Sequence, residues 1–229
     1  MIRAIIFDFD GLILETEEPV YRSWQELYAN YNCQLSFDDW ATLIGTVANE
    51  FEPMSALEKQ LGSQLPDREA LEARRHRRET ELVMARPLQP GVLAYLQDAR
   101  RLKLKIGLAS TSSAKWVKGH LTRLGLIDYF DCIRTGDDVS QVKPSPELYL
   151  ATLSALELSA SEAIALEDSP NGITAAKRAG LFCVAVPNIL TRRLPLEHAD
   201  LRLESLASMP LSELIRQVSN HRHAEGSAP

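Results

Sequence analysis

Residues 4–16 read AIIFDFDGLILET, and the fold turns on how this stretch is understood. The continuous apolar run from Ala4 to Phe7 is the pattern of a strand buried on both faces. It stops at Asp8 and Asp10, with Gly11 behind them. Two carboxylates two residues apart at the C-terminal end of a buried strand repel each other and lose hydration. One of them takes up a proton unless a cation holds both. A hard ion such as Mg2+, which prefers oxygen ligands, meets that need. The C-terminal lip of a central strand is also where open α/β sheets bind ligands. Asp and Gly are common in plain turns as well, so the rest of the chain has to decide.

From about Glu17 to Arg86 the periodicity is helical. Tyr21, Trp24, Leu27, Tyr28 and Tyr31 line one face of a helix over Glu18 to Tyr31. Ser36 reads as the N-cap of a short helix through Trp40 to Ile44, ended by Gly45. Further helices are expected from about Glu50 to Leu61 and from Asp67 to about Met84. The Arg86-Pro87-Leu88-Gln89-Pro90-Gly91 stretch then breaks the pattern. An all-helical block after a single strand reads as a separate small domain, residues 17–86, inserted into a core formed by 1–16 and 87–220.

From Gly91 the chain alternates. Helix Val92 to Arg101 precedes a strand at Lys105 to Ala109. A helix capped by Ser112 or Ser113 ends at Gly125, and a strand follows near Cys132 to Thr135. Ser145-Pro146 opens a helix to about Leu156, and Ala163 to Leu166 is a strand. Ser169-Pro170 opens a helix closed by Gly180, and Cys183 to Val186 is a strand. Repeated βα units imply an α/β protein with a parallel sheet and helices on both faces. The tail, 221–229, is polar and expected to be loose.

Composition narrows the function. The 229 residues are 45% apolar, as in a soluble globular protein, and the formal charge of -6 argues against nucleic acid as the main partner. No run is long and apolar enough to cross a membrane, and the first strand leaves little room for a signal peptide. Cys33, Cys132 and Cys183 are far apart and form no metal-type spacing; Cys132 and Cys183 read as buried small hydrophobes. A reducing cytoplasm fits these features.

Chemistry-bearing residues gather at the predicted strand ends, which share one edge in a parallel sheet. Ser110 offers a hydroxyl, and the backbone from Thr111 onward leads into a helix N-terminus, an arrangement that suits either an anion such as phosphate or plain helix capping. Pro144 keeps Lys143 out of helical geometry, so the lysine can neutralise charge on a transferring phosphoryl group. Glu167 and Asp168 bring two more carboxylates to the edge that carries Asp8 and Asp10. One lysine cannot balance four acids, and a divalent metal resolves the excess.

Asp8-Phe9-Asp10-Gly11, Ser110 after a strand, Lys143-Pro144, and Glu167-Asp168 before Ser169-Pro170-Asn171-Gly172 together resemble the motifs of the haloacid dehalogenase-like superfamily. The GLASTS and LEDSPNGI stretches look like its branch of β-phosphoglucomutases and sugar-phosphate phosphatases. The resemblance implies a Rossmann-like doubly wound parallel-sheet core with an inserted all-helical cap. It implies that Asp8 is a nucleophile forming an aspartyl-phosphate and that Asp10 is the acid and base. Gly11, Ser110, Thr111 and Lys143 would hold the phosphate. Mg2+ would be held by Asp8, the Asp10 carbonyl and Asp168, with Glu167 acting directly or through water. Thr16 and Gly45 would belong to the cap hinge and substrate region, and the cap would exclude water and choose the substrate.

The chain departs from that pattern in places. Glu15 stands where the family usually has Asp, a change expected to alter cap movement. β-Phosphoglucomutases tend to carry a histidine where this chain has Val20 and an arginine where it has Ala48. Both differences favour a Mg2+-dependent phosphatase of small phosphorylated metabolites over a mutase. A receiver domain, a phosphorylation-switched binding module, also combines clustered acids with Lys-Pro, but it has no helical insert after its first strand and its phosphoacceptor lies on a later one. By analogy with closed-cap relatives a monomer is expected. The run Arg74-Arg75-His76-Arg77-Arg78 is expected to be a solvated helix face paired with Glu69, Glu72 and Glu79. Tyr21, Trp24 and Tyr28 are expected to form cap core, and Trp116 to pack beside the helix after Ser112 without a role.

Overall fold

The computed structural model describes residues 1–44 and 51–225, with side chains through His221. Gly45 and Ala48 lie outside the described residues. The chain divides into two compact units, Met1–Leu14 with Leu88–Pro229, and Glu15–Pro87.

The first unit is built on strands β1 (Ala4–Phe7), β2 (Lys105–Ala109), β3 (Cys132–Arg134), β4 (Ala163–Glu167), β5 (Phe182–Ala185) and β6 (Leu201–Arg202). They form one sheet in the order β3-β2-β1-β4-β5-β6, and every pairing is parallel. The strand order reverses between β1 and β4, which makes the C-terminal ends of these two strands the topological switch point. Phe7 lies opposite both Leu108 and Leu166. This register puts the residues that follow β1, β2 and β4 on one edge. The apolar run that begins the chain is fully buried, from Ala4 to Phe7, as a central strand covered on both faces requires.

In the helical unit, α1 (Glu17–Ala29), α2 (Phe37–Ala41), α3 (Pro53–Leu61) and α4 (Arg68–Met84) follow β1. Ser36 caps α2 by accepting from the Asp39 N–H, Glu52 caps α3, and Asp67 caps α4 through the Ala70 N–H. Thr16 is the N-cap residue of α1 and is buried, but its side chain does not cap the helix. The Glu15 carboxylate accepts from the Glu18 N–H at 3.1 Å instead, a reach its extra methylene permits. Trp24 and Tyr28 are core, whereas Tyr21 is half-buried, stacks on Trp40 at 5.3 Å between centroids and donates to the Leu35 carbonyl.

The basic run departs from the expectation of a solvated face. Arg75 is buried: it donates to Glu79 (2.6 Å), Glu72 (2.6 Å) and the Ser23 hydroxyl (3.1 Å), and it lies over the Trp24 ring at 4.6 Å. Arg78 pairs with Glu26 and Glu81, while Arg74 and Arg77 are exposed. Arginine tolerates this site because its planar fork pairs with two carboxylates and stacks on an aromatic face at once. Arg75→Met is expected to destabilise the helical unit by about 3 kcal/mol, because Glu79 keeps a buried charge without its partner. Thermal unfolding of the variant measures this, and an unchanged midpoint would contradict it.

Returning to the core unit, α5 (Val92–Arg101), α6 (Ala114–Arg123), α7 (Glu147–Leu156), α8 (Pro170–Arg178) and α9 (Leu211–Glu225) complete it. Ile6 and Cys183 pack on one face with Leu148 and Leu153 of α7 and Ile173 and Ala176 of α8; α5 packs against β2 and α9 against α5. Cys132 is half-buried, not fully buried as its apolar neighbours suggested. Helix α7 starts one residue later than expected, with Pro146 at the N-cap. The tail expectation is corrected too: α9 runs through Glu225, past His221, whose ring meets Phe182 edge-on at 5.5 Å. Polar composition hid a helix held by its inner residues Leu211, Leu214 and Val218.

Candidate active site

Strand β1 delivers Asp8 directly to the switch-point edge, where its N–H donates to the Leu166 carbonyl at 3.0 Å. The chain then turns sharply. Gly11 has φ +81°, and its N–H bonds the Leu14 carbonyl. A Cβ at Gly11 would lie 2.1 Å from Asp168 Oδ2 and 2.6 Å from Asn188 Nδ2, so both the backbone conformation and the close approach of two side chains require glycine.

Lys143 reaches the same point from the loop after β3, where its peptide bond to Pro144 is cis. Its Nζ donates to Asp8 Oδ1 at 2.5 Å and to Glu167 Oε1 at 2.6 Å. Tyr149, on α7, donates its hydroxyl to the same Glu167 oxygen at 2.5 Å, and its ring lies 5.2 Å from the lysine nitrogen. All four side chains are buried. Burial pushes the Asp8 carboxyl up to about 8; Lys143 pulls it down, and Glu167 and Asp10 push it up. Burial works against the Lys143 ammonium, yet Asp8 and Glu167 more than offset that and hold it above its ordinary range. Burial, then Glu167 and Asp8, raises the Tyr149 hydroxyl well above the usual tyrosine range, which keeps it a donor.

Asp8, Glu167 and Asp168 bring one carboxylate oxygen each to within 4.8 Å of one another, all buried. Glu167 Oε2 is fully enclosed and has no hydrogen-bond partner among the described residues. A Cβ at Gly172 would lie 1.8 Å from that atom, so the first turn of α8 leaves a cradle for the carboxylate. An all-oxygen donor set, an orphaned buried carboxylate oxygen and a crowded negative charge fit a hard divalent cation.

Asp10 sits apart from that trio. Its Oδ2 accepts from Ser112 Oγ at 2.7 Å and from Ser110 Oγ at 3.3 Å, and its Oδ1 accepts from Trp116 Nε1 at 2.9 Å. The core unit therefore brings together Asp8, Asp10, Gly11, Ser110, Lys143, Glu167 and Asp168. The Thr111 side chain is exposed, and its carbonyl closely approaches Gly136. Thr16 belongs to the helical unit.

Four further residues serve this site without having stood out in the sequence. Trp116, expected to have no role, binds a carboxylate through its indole. Of the two candidate caps Ser113 is the N-cap of α6, and Ser112 turns to Asp10. Tyr149 gives no signal in the sequence, and Asn188 only a faint one. Asn188 Nδ2 donates to Asp168 Oδ2 at 2.7 Å, while its Oδ1 accepts from the N–H groups of Leu190 and Thr191. A sheltered Asn in an apolar loop, next to a strand end, is the one cue that was available.

The chain matches the family model described as Haloacid dehalogenase-like hydrolase over residues 5–186. It is 49% identical over 220 residues to the Bacillus subtilis protein named "Putative phosphatase YhcW", covering 96% of this chain and 99% of that one. It is 27% identical over 229 residues to the Beta-phosphoglucomutase of the same organism, covering 98% and 99%. Among solved structures, CbbY from Rhodobacter sphaeroides in complex with phosphate has 33% identity and a TM-score of 0.71, covering 94% of this chain and 100% of that one. A CbbY mutant in complex with xylulose-1,5-bisphosphate has 32% identity and a TM-score of 0.69, covering 93% and 99%.

Proposed function

This chain belongs to the haloacid dehalogenase-like hydrolase family, and on that premise we propose that it is a Mg2+-dependent phosphatase of small phosphorylated metabolites, sugar phosphates foremost. The observation that carries this reading is Asp8 held at the switch point between Lys143 and the carboxylates Glu167 and Asp168. The similarity to YhcW and to CbbY, solved with phosphate and with a sugar bisphosphate, supports the substrate class.

In this reaction the Asp8 carboxylate attacks phosphorus. A bond forms from its oxygen to phosphorus, and the bond to the ester oxygen breaks. Asp10 gives a proton to the departing oxygen. As a carboxylate it then takes a proton from the water that attacks the aspartyl-phosphate, releasing phosphate and restoring Asp8. Ser110 turns its hydroxyl to a phosphoryl oxygen, the backbone at Gly11 and Thr111 would hold others, and Lys143 adds a positive charge. Asp8, the Asp10 carbonyl, Asp168 and Glu167 would hold Mg2+, and the chemistry it supplies is charge neutralisation. The site needs that charge, because a carboxyl raised to about 8 by burial is a poor nucleophile at neutral pH until positive charge ionises it. Thr16 and Gly45 are proposed to belong to the hinge and substrate side, with residues 15–87 as a cap.

The decisive experiment measures phosphate release from a panel of phosphosugars and other small phosphate esters, with Mg2+ and with a chelator, alongside conversion of β-glucose 1-phosphate to glucose 6-phosphate. Mg2+-dependent release is expected. Isomerisation without release would replace the phosphatase with a mutase, against the evidence of Val20 and Ala48. The helical unit between β1 and β2, with Asp8 on the first strand, is not the architecture of a receiver domain. We further infer a monomer of the cytoplasm with neither nucleic-acid nor membrane partners. The net charge of -6 speaks against a nucleic-acid partner, the free Cys33, Cys132 and Cys183 fit a reducing compartment, and no described helix is long and apolar enough to cross a membrane.

Asn188 supplies a further prediction. Its amide fixes the orientation of Asp168, as an outer-sphere partner does for a metal ligand. Asn188→Ala is expected to weaken Mg2+ binding about 10- to 100-fold in isothermal titration. Unchanged affinity would remove Asp168 from the metal-binding role or Asn188 from its support.

A further inference from the structure

We propose that Trp116 is a positioning residue for Asp10, an anchor that holds one carboxylate oxygen still while the other exchanges its bond from Ser110 for the reacting oxygen. This rests on the phosphatase reading above and goes beyond it.

The two oxygens of Asp10 are held in different ways. Oδ2 takes its hydrogen bonds from two hydroxyls, Ser112 Oγ at 2.7 Å and Ser110 Oγ at 3.3 Å. A serine hydroxyl carries one proton and rotates freely. Ser110 cannot donate to Asp10 and to a phosphoryl oxygen at once, so substrate binding withdraws the weaker of the two bonds. Oδ2 thereby exchanges that donor for the leaving oxygen, while Ser112 still donates to it. Oδ1 takes its bond from the indole Nε1 of Trp116 at 2.9 Å. An indole N–H is a donor only. It neither rotates away nor accepts a proton, so it holds Oδ1 throughout a cycle in which Asp10 gains and loses its own.

The indole is itself well supported. Trp116 lies in the first turn of α6, where its backbone N–H donates to the capping Ser113 hydroxyl. Its ring meets His120 edge-on, with centroids 4.3 Å apart, and His120 lies against Phe9 at 6.2 Å. Phe9 is fully buried between Asp8 and Asp10 in the chain. The stack Trp116–His120–Phe9 thus ties α6 to the segment that carries both carboxylates.

Leaving-group dependence provides the test. The value of kcat/KM reports the steps through departure of the first leaving group. An alkyl phosphate, such as a phosphosugar, needs a proton from Asp10 at that point; 4-nitrophenyl phosphate, whose leaving group is a stable phenolate, does not. Trp116→Phe keeps a ring against His120 and removes the N–H. It is expected to lower kcat/KM about tenfold for the alkyl ester, part of the range general acids supply. The expected change is less than about twofold for the aryl ester and for inhibition by inorganic phosphate. Asp10→Asn should show the same discrimination more strongly. Equal losses on both esters, or no loss on the alkyl ester, would overturn the anchor. If the phenylalanine variant does not fold by circular dichroism, Trp116→Tyr is measured in its place. Failure of the wild-type protein to turn over either ester would strike the phosphatase reading itself, a separate result.

Discussion

Asp8→Asn is expected to reduce phosphate release by more than about a thousandfold with Mg2+ present, since an amide cannot form the covalent intermediate and the remaining groups have no nucleophile to assist. The fold should survive. Asp8 sits with Glu167 and Asp168 in a buried acidic trio, and asparagine keeps the size and neutrality of the protonated carboxyl that burial favours there. Thermal midpoint and circular dichroism, measured beside phosphate release, separate loss of chemistry from loss of structure. Release above about a tenth of the wild-type rate would remove Asp8 from the nucleophile's role.

The same substitution carries a pH signature in metal-free protein. Burial raises Asp8 from its ordinary 3.8 to about 8, with Glu167 and Asp10 adding to the rise and Lys143 opposing it. Between those values the folded state keeps a proton that the unfolded state has lost, so this group's linkage makes wild-type stability fall as pH rises from about 4 to about 8. Asp8→Asn abolishes that component. Urea denaturation of both proteins in chelator across this window should show a shallower slope in the variant.

Lys143→Met has the second large effect, and it falls on stability as well as on rate. The lysine is 5% exposed and bridges Asp8 and Glu167. Removing one partner of a buried ion pair costs about 3–5 kcal/mol, because the other charge stays behind. The loss should be greater at pH 9 than at pH 6 in chelator. Without the lysine's pull Asp8 moves further up: at pH 6 the carboxyl keeps its proton in both proteins, whereas at pH 9 wild type sheds it against Lys143 and the variant has to keep it or bury an unpaired charge. Phosphate release should fall about 100- to 1000-fold, as on removal of a preorganised electrostatic contact. Stability equal to wild type at pH 9 would show that the ion pair contributes little to the native state.

Much of this molecule was legible before any coordinates, because local signals and buried strands are strong. Ala4 to Phe7, Ile106 to Ala109 and Ala163 to Leu166 are short apolar runs of the kind a parallel sheet covered on both sides uses. The caps at Ser36, Ser113 and Ser169 and the breaks at Gly91 and Gly180 are chemistry of single residues. Elsewhere the local signal was too weak. Strand β6, Leu201–Arg202, is two residues long and exists because β5 offers it an edge. Helix α9 is rich in polar residues, and its buried Leu211, Leu214 and Val218 are too few to stand out against that composition.

The site divides along the same line. Asp8, Asp10, Lys143, Glu167 and Asp168 were candidates from sequence alone, since each ends or follows a predicted strand and parallel strands deliver their ends to one edge. The partners of those residues were not. Tyr149 is an inward-facing aromatic on a helix, Asn188 a polar residue in a loop, Trp116 an aromatic near a helix start, and Arg75 one of several arginines in a basic run. Nothing in a one-dimensional pattern separates them from core, turn or surface residues. Their roles are hydrogen bonds to residues between 4 and 106 positions away, and such bonds form only once the fold brings the side chains within about 3 Å.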